Sequence, residues 1–374
     1  MLIKPTLRKP TFKQILAENR SLWVEPRMRP AVSKGFQKVL DCRTPALGFE
    51  VYESDNGQRI LGPHTCKSRA CSSCGWRSTL AWQRDVSAVL PDIPYADIGF
   101  TMHADFWPIF RQNRHLLDDL PALGAGVLQD WAEKSYGARV MVVVVRQTFG
   151  ADLKFNPHLH MLVSIIGLHK SGRDLVSNIR FLRDAVMRAW RHILLEYLTI
   201  ALEAGQISYH LPRPELMELF QEHHDRLWYG WVNYDRSRED ILRYISRYLC
   251  RPPLAEYRLL PRESHYVRFL TRDKKLGSIV TTCTTREFIV LLADQVPDHY
   301  RHGVRYFGLL SPQSIGKDYE VFLSLLGQKR PPRPKRILWA DLIWQTFGWD
   351  PRLDSDGKRM RWVGRVAPVK REAI

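Results

Sequence analysis

Two strand-forming runs joined by a short link constrain this chain of 374 residues more than any other feature. Residues 139–148 read Arg-Val-Met-Val-Val-Val-Val-Arg-Gln-Thr, a strongly β-forming composition. Residues 149–156 lead into Pro157-His158-Leu159-His160-Met161-Leu162-Val163, which alternates after the proline and predicts a second strand. So short a connection favours an antiparallel pair. Alternation sets His158, His160, Leu162 and Ser164 on one face and Leu159, Met161, Val163 and Ile165 on the other. The second face is core. The first opens with two imidazoles side by side, an arrangement that can hold a metal ion from a rigid sheet. Gln147, near the end of the first strand, can face the histidines and complete that site; the alternative is a polar residue at a sheet edge.

The charge balance narrows the partner. Lys and Arg number 56 against 39 Asp and Glu, a formal net charge of +17. Such a field attracts polyanions, and nucleic acid is the default candidate. No basic amphipathic helix argues for a membrane surface. No apolar run is long enough to span a bilayer, and residues 1–10 lack an apolar signal segment. The expectation is a soluble, cytoplasmic protein, with 45% hydrophobic residues to build its cores.

Three of the six cysteines fall within nine residues, which in a long cytosolic chain suggests metal rather than disulfides. Cys71 and Cys74 have the spacing of a zinc knuckle, and Cys66 can add a third thiolate. The fourth ligand is His64 or Cys42. A closed site of this kind holds shape and does no chemistry, so the zinc is structural. Lys67, Arg69 and Arg77 decorate the knuckle with positive charge that suits DNA contact.

Amphipathic patterning predicts helices over 75–90, 106–117, 122–136, 179–204 and 216–228, the last ended by Gly230. Residues 265–271 and 278–284 read as a hairpin, and a helix starts at Thr285. A further helix over 238–250, stopped by Pro252-Pro253, carries Tyr244 and Tyr248 four apart on one face. Arg243, Arg247 and Arg251 form the adjoining stripe. Two phenols beside three guanidiniums are unusual for a core face. These elements divide the chain into a basic N-terminal arm (1–40), a zinc-binding DNA-contact domain (41–91), a catalytic domain (92–312) and a basic C-terminal tail with a small helix (313–374).

Tyrosine is a poor nucleophile at neutral pH because its pKa is about 10. It becomes useful when a metal polarises the phosphate it attacks and cations stabilise the phenolate. Attack on DNA would leave a 5′-phosphotyrosine and a free 3′-hydroxyl able to reverse the step, with no ATP needed. A second tyrosine would permit two covalent strands at once.

The order of these motifs resembles the HUH endonuclease superfamily, and within it the rolling-circle, two-tyrosine transposases of bacterial insertion sequences and common-region elements. The matching segments run from about residue 40 to 312: His64 to Gly75, Gln147-Thr148-Phe149-Gly150 leading to Asn156-Pro157-His158-Leu159-His160, Tyr244-Ile245-Ser246-Arg247-Tyr248, and Val304-Arg305-Tyr306-Phe307-Gly308. The resemblance implies an α+β fold built on a five-stranded, mainly antiparallel sheet flanked by helices. It implies a metal-dependent nickase-ligase acting on single-stranded DNA at element ends and target. It assigns metal ligation to His158 and His160 and nucleophilic roles to Tyr248 first and Tyr244 second. The metal it implies is Mg²⁺ or Mn²⁺, whereas imidazole chemistry alone leans towards manganese or zinc. The chain lacks the extra cysteine pair that relatives carry before the knuckle, at Ser54-Asp55-Asn56-Gly57, and the second knuckle expected near residues 351–357, so no second zinc is expected. The competing readings are a replication initiator or relaxase of the same chemistry, and a zinc-binding regulator that binds DNA without cutting it. The regulator would leave the paired histidines and tyrosines without a role.

Overall fold

The computed structural model of the chain describes residues 11–240, 253–261, 265–273, 276–298, 303–330, 332, 334–335 and 337–369. The helix expected over 238–250 falls outside these residues from 241 onward, and with it Tyr244, Tyr248, Arg243, Arg247 and Arg251.

The architecture is α+β, centred on a five-stranded sheet. Its strands, in chain order, are β1 (Tyr95–Phe100), β2 (Met141–Phe149), β3 (Phe155–Ser164), β4 (Gly230–Arg236) and β5 (Val304–Gly308). Their spatial order is β5-β2-β3-β1-β4, and every neighbouring pair is antiparallel. The histidine strand β3 is therefore central, with two strands on either side. Helices used below are α1 (Phe12–Glu18), α2 (Pro30–Asp41), α3 (Ser72–Ser87), α4 (Leu120–Tyr136), α5 (Arg183–Glu203) and α6 (Thr285–Gln295).

Alternation distributes the sheet residues as its period of two requires. Leu159, Met161 and Val163 of β3 join Val142 and Val144 of β2 in a core completed by Leu128 of α4 and Trp190, Leu194 and Leu198 of α5. On the opposite face Val143, Val145 and Leu162 pack beneath Val86 of α3 and Tyr319 and Phe322 of helix Asp318–Leu325. Further along that face the apolar residues give way to Gln147, His158 and His160.

A second core joins segments far apart in sequence. Phe12, Ile15, Leu16, Val32 and Phe36 pack with Phe269, Phe288 and Leu292 and with the buried cysteines. The lead segment, read above as a basic arm, is thus two helices with buried apolar sides from Phe12 onward. Both α1 and α6 start on capping boxes, Thr11 with Gln14 and Thr284 with Glu287, which satisfy otherwise orphaned amides of the first turn.

Several strands were not legible in the sequence, among them β5 of the central sheet. The helix expected over 216–228 runs Arg213–Glu222, and Gly230 opens β4 instead of ending a helix. Glycine is required there: a Cβ would lie 2.1 Å from Met187 Sδ and 2.9 Å from the Gly99 carbonyl. The tail also returns to the body. Arg361–Val366 pairs with Phe49–Glu53, which pairs in turn with Arg59–Pro63. No helix among the described residues is long and apolar enough to cross a membrane.

Candidate active site and zinc cluster

The register of β2 and β3 sets Gln147 opposite His158 and Val145 opposite His160. All three polar side chains converge. Gln147 Oε1 lies 3.2 Å from His158 Nε2 and 3.0 Å from His160 Nε2. His158 Nδ1 is 2.7 Å from the Asn156 carbonyl, which can only accept, so Nδ1 carries the proton and Nε2 presents a lone pair. The Gln147 oxygen, oriented as it is, presents another. Acceptor therefore faces acceptor, an arrangement that a cation satisfies and hydrogen bonding between the pair does not.

Electrostatics agree with that assignment. Burial pushes the pKa of both imidazoles below the ordinary histidine value, His160 further, with His158 adding to its shift. Both rings are then neutral near pH 7, the form that binds metal. Two imidazole nitrogens and an amide oxygen can hold a divalent ion.

The unforeseen β4 supplies a wall. The Trp231 indole lies 5.3 Å from the His160 ring and sits on Gly99, where a Cβ would be 2.1 Å from its carbons. Its Nε1 donates to buried Asp97, as does Asn233 Nδ2. The described chain resumes after the expected tyrosine helix at Pro253, which lines a pocket that also contains Gln147.

The cysteines assemble as a set of four. Cys42, at the C-terminal end of α2, meets Cys66, Cys71 and Cys74, with all four sulfurs within 4.8 Å of one another. Individual separations are 3.6 to 3.8 Å. A tetrahedron with Zn–S bonds of about 2.3 Å has edges of about 3.8 Å, so the spacing fits zinc and none of the four forms a disulfide. Amides of Cys66 and Ser68 point at sulfurs, as expected of a site built for thiolates. The mutual hydrogen bonds hold the Cys74 thiol well below its usual pKa and push those of Cys66 and Cys71 well above, since thiolates this close cannot all ionise without a cation.

Of the two candidates for fourth ligand, Cys42 is in the cluster and His64 is not. Both His64 nitrogens are engaged elsewhere, Nδ1 with the Leu47 carbonyl and Nε2 with Glu50, each at 2.8 Å. Arg77, expected at the DNA surface, is buried and donates to Thr65 Oγ1 at 2.6 Å. The helical turn that carries it faces inward. Lys67 is exposed, and Arg69 is half-buried against Gly303.

Sequence reading missed a third cluster, because its members lie 120 residues apart: His103, Asp105 and His223. His223 Nε2 is 2.9 Å and His103 Nδ1 3.1 Å from Asp105 Oδ2. Arg226 stands 3.8 Å from the same oxygen and supplies the positive charge that an ion would bring.

Comparison with known proteins gives two family matches in chain order. Residues 11–102 match the "Transposase zinc-binding domain" family and residues 142–317 the "Putative transposase" family. The transposase for insertion sequence element IS801 of Pseudomonas savastanoi pv. phaseolicola is 28% identical over 352 residues, 88% of this chain and 83% of the relative. "Putative transposase y4qJ" of Sinorhizobium fredii is 28% identical over 310 residues, 78% of this chain and 77% of that relative. No solved structure gives a significant match.

Proposed function

We propose, from these transposase family matches and relatives, that the chain is an insertion-sequence transposase of the rolling-circle, HUH type. On this reading it cuts and rejoins single-stranded DNA at the ends of its element through a 5′-phosphotyrosine. The observation that carries the reading is the meeting of Gln147, His158 and His160 on the central strands.

These three residues would hold Mg²⁺ or Mn²⁺. When bound, the ion withdraws charge from the scissile phosphate and makes phosphorus a better electrophile. The chain's own groups do the rest. Neutral His158 and His160 keep their lone pairs on the site, and the Asn156 carbonyl fixes the His158 tautomer and ring angle. Trp231 walls the site beside His160 and offers a face on which a flanking base can stack. Tyr248, with Tyr244 as the second nucleophile, attacks phosphorus through its phenolic oxygen after giving up its proton to solvent. The bond from phosphorus to O3′ breaks, and O3′ takes a proton. Reversal by a 3′-hydroxyl of a different strand reseals DNA and frees the tyrosine, so one phosphoester bond is exchanged for another and no external energy is consumed.

The test is direct. Labelled single-stranded oligonucleotides from the ends of the element are incubated with the protein and Mn²⁺ or Mg²⁺, and a protein–DNA adduct stable to denaturation is sought. The adduct should vanish in Tyr248→Phe and His160→Ala. An adduct intact in Tyr248→Phe and Tyr244→Phe alike refutes the nucleophile assignment; one indifferent to chelation refutes the metal.

A further inference from the structure

The zinc loop, the helical turn Arg114–Asp118 and the central sheet meet at a pocket whose arginines no part of the mechanism above uses. It is lined by Arg69 from the loop between Cys66 and Cys71, Arg114, and Arg146 of β2, with Asp118 and Asp298 in its wall. It opens where the β5–β2 ladder stops, just past the bond from the Arg146 amide to the Gly303 carbonyl, and Gln147 of the metal site also lines it.

Its charges do not balance. Arg146 pairs with Asp118 at 2.9 Å, while Asp298 is shared by Arg29 and, at 3.5 Å, Arg114. Among the described residues, and with Arg69, four guanidiniums face these two carboxylates, while Asp294, paired with Arg111, acts on Arg114 from farther off. Arg114 and Arg146 side chains are only 10% and 9% exposed, and among the described residues Arg114 Nη1 has no hydrogen-bond partner while Nε has only the 3.5 Å ion pair with Asp298. A buried network that served structure alone would neutralise itself, because an uncompensated buried cation is costly. Burial, with Arg29 adding to it, lowers the Arg114 pKa to about 10. An anion would relieve the surplus. Forked donors converging from three segments match the oxygens of a phosphate.

We propose that Arg69, Arg114 and Arg146 seat a backbone phosphate of the bound single strand, beside the one to be cleaved, and that the zinc cluster delivers Arg69 to this seat. The proposal rests on the reading of Gln147, His158 and His160 as the cleavage site. It makes the zinc module part of the active site, because Cys66 and Cys71 pin the four-residue loop between them, which carries Arg69 against Gly303.

The experiment uses the full chain and a fluorescent twenty-nucleotide oligothymidylate, with affinity measured across a range of NaCl concentrations. Arg69→Gln should weaken binding about tenfold and lower the slope of log affinity against log salt by about 0.7, the loss of one single-strand phosphate contact. Lys134→Gln, at an exposed lysine paired with Asp130, should leave both unchanged. A second measurement needs no variant: phenylglyoxal labelling of the wild-type protein, read by mass spectrometry, should find Arg69 protected by the oligonucleotide while exposed Arg183 is not. Equal Arg69 labelling with and without DNA, or an unchanged salt slope in a folded Arg69→Gln protein, overturns the proposal. If adducts form normally but Arg69 is indifferent to DNA, the pocket fails and the cleavage site stands. If Arg69 is protected but no adduct ever forms, the cleavage reading fails instead.

Discussion

At the scale of single residues, the site is defined by what Gln147 does between two imidazoles. Its oxygen is the one donor of the three whose chemistry a substitution can tune. Gln147→Glu puts a charged, hard oxygen in the same place, so half-maximal adduct formation should need about tenfold less Mg²⁺. Gln147→Leu should raise the requirement at least as far in the other direction, and a metal titration that leaves all three proteins alike excludes Gln147 as a ligand. The imidazoles predict a pH limb. Burial depresses both pKa values, so protonation, which expels a metal, sets in only below the ordinary histidine value of about 6.5. Adduct formation should therefore lose its activity on the acid side well under pH 6.5; a midpoint at or above that value contradicts the burial argument. The sign for stability follows from the same shifts. Between the depressed folded values and 6.5 the unfolded chain binds more protons, so stability falls as the pH drops through that window.

At the scale of elements, the sequence disclosed most where one local period decides the outcome. The β2–β3 pair, the facing of Gln147 and the histidines, and the hairpin Tyr266–Asp273 with Gly277–Thr284 could be read because alternation and a short link fix face and register together. The strand β4 was not read, because the alternation of Val232-Asn233-Tyr234-Asp235 is short and follows Gly230-Trp231, which reads as the end of a helix; it becomes a strand by pairing with β1. The C-terminal strand Arg361–Val366 is mostly exposed, so no core face marks it. The fourth zinc ligand was likewise undecidable from spacing, since Cys42 and His64 are both near enough in sequence. In the fold, the turn after α2 bonds the Arg43 amide to the His64 carbonyl, which brings the Cys42 sulfur in and leaves the His64 ring to Glu50. This separates the two by measurement. His64→Ala should keep one zinc per chain, whereas Cys42→Ser should lose zinc and melt lower by several degrees, about what losing one ligand of a folding-coupled site implies. Zinc retained in Cys42→Ser returns the assignment to His64.

At the scale of the whole molecule, the divisions suggested by composition cut through a core. Residues 92–312 look complete on paper, with the sheet, its covering helices and the histidine pair. Yet Phe269, Phe288, Ile289 and Leu292, all within that span, bury themselves against Phe12, Ile15, Leu16, Val32 and Phe36, contacts more than 200 residues apart that no local pattern announces. Arg29 adds polar ties across the same boundary, donating to the Ala293 and Val296 carbonyls at 2.8 and 2.9 Å. A fragment starting at residue 92 therefore exposes large aromatic and aliphatic side chains that are worth about 1.5–3 kcal/mol each when buried, a sum comparable with the whole stability of a domain. Such a fragment should aggregate or melt more than about 10 °C below the full chain. Equal thermal stability of the two would mean that the helices from Phe12 to Asp41 are an appendage after all, and the position of Arg69 at the central sheet would then lack its scaffold.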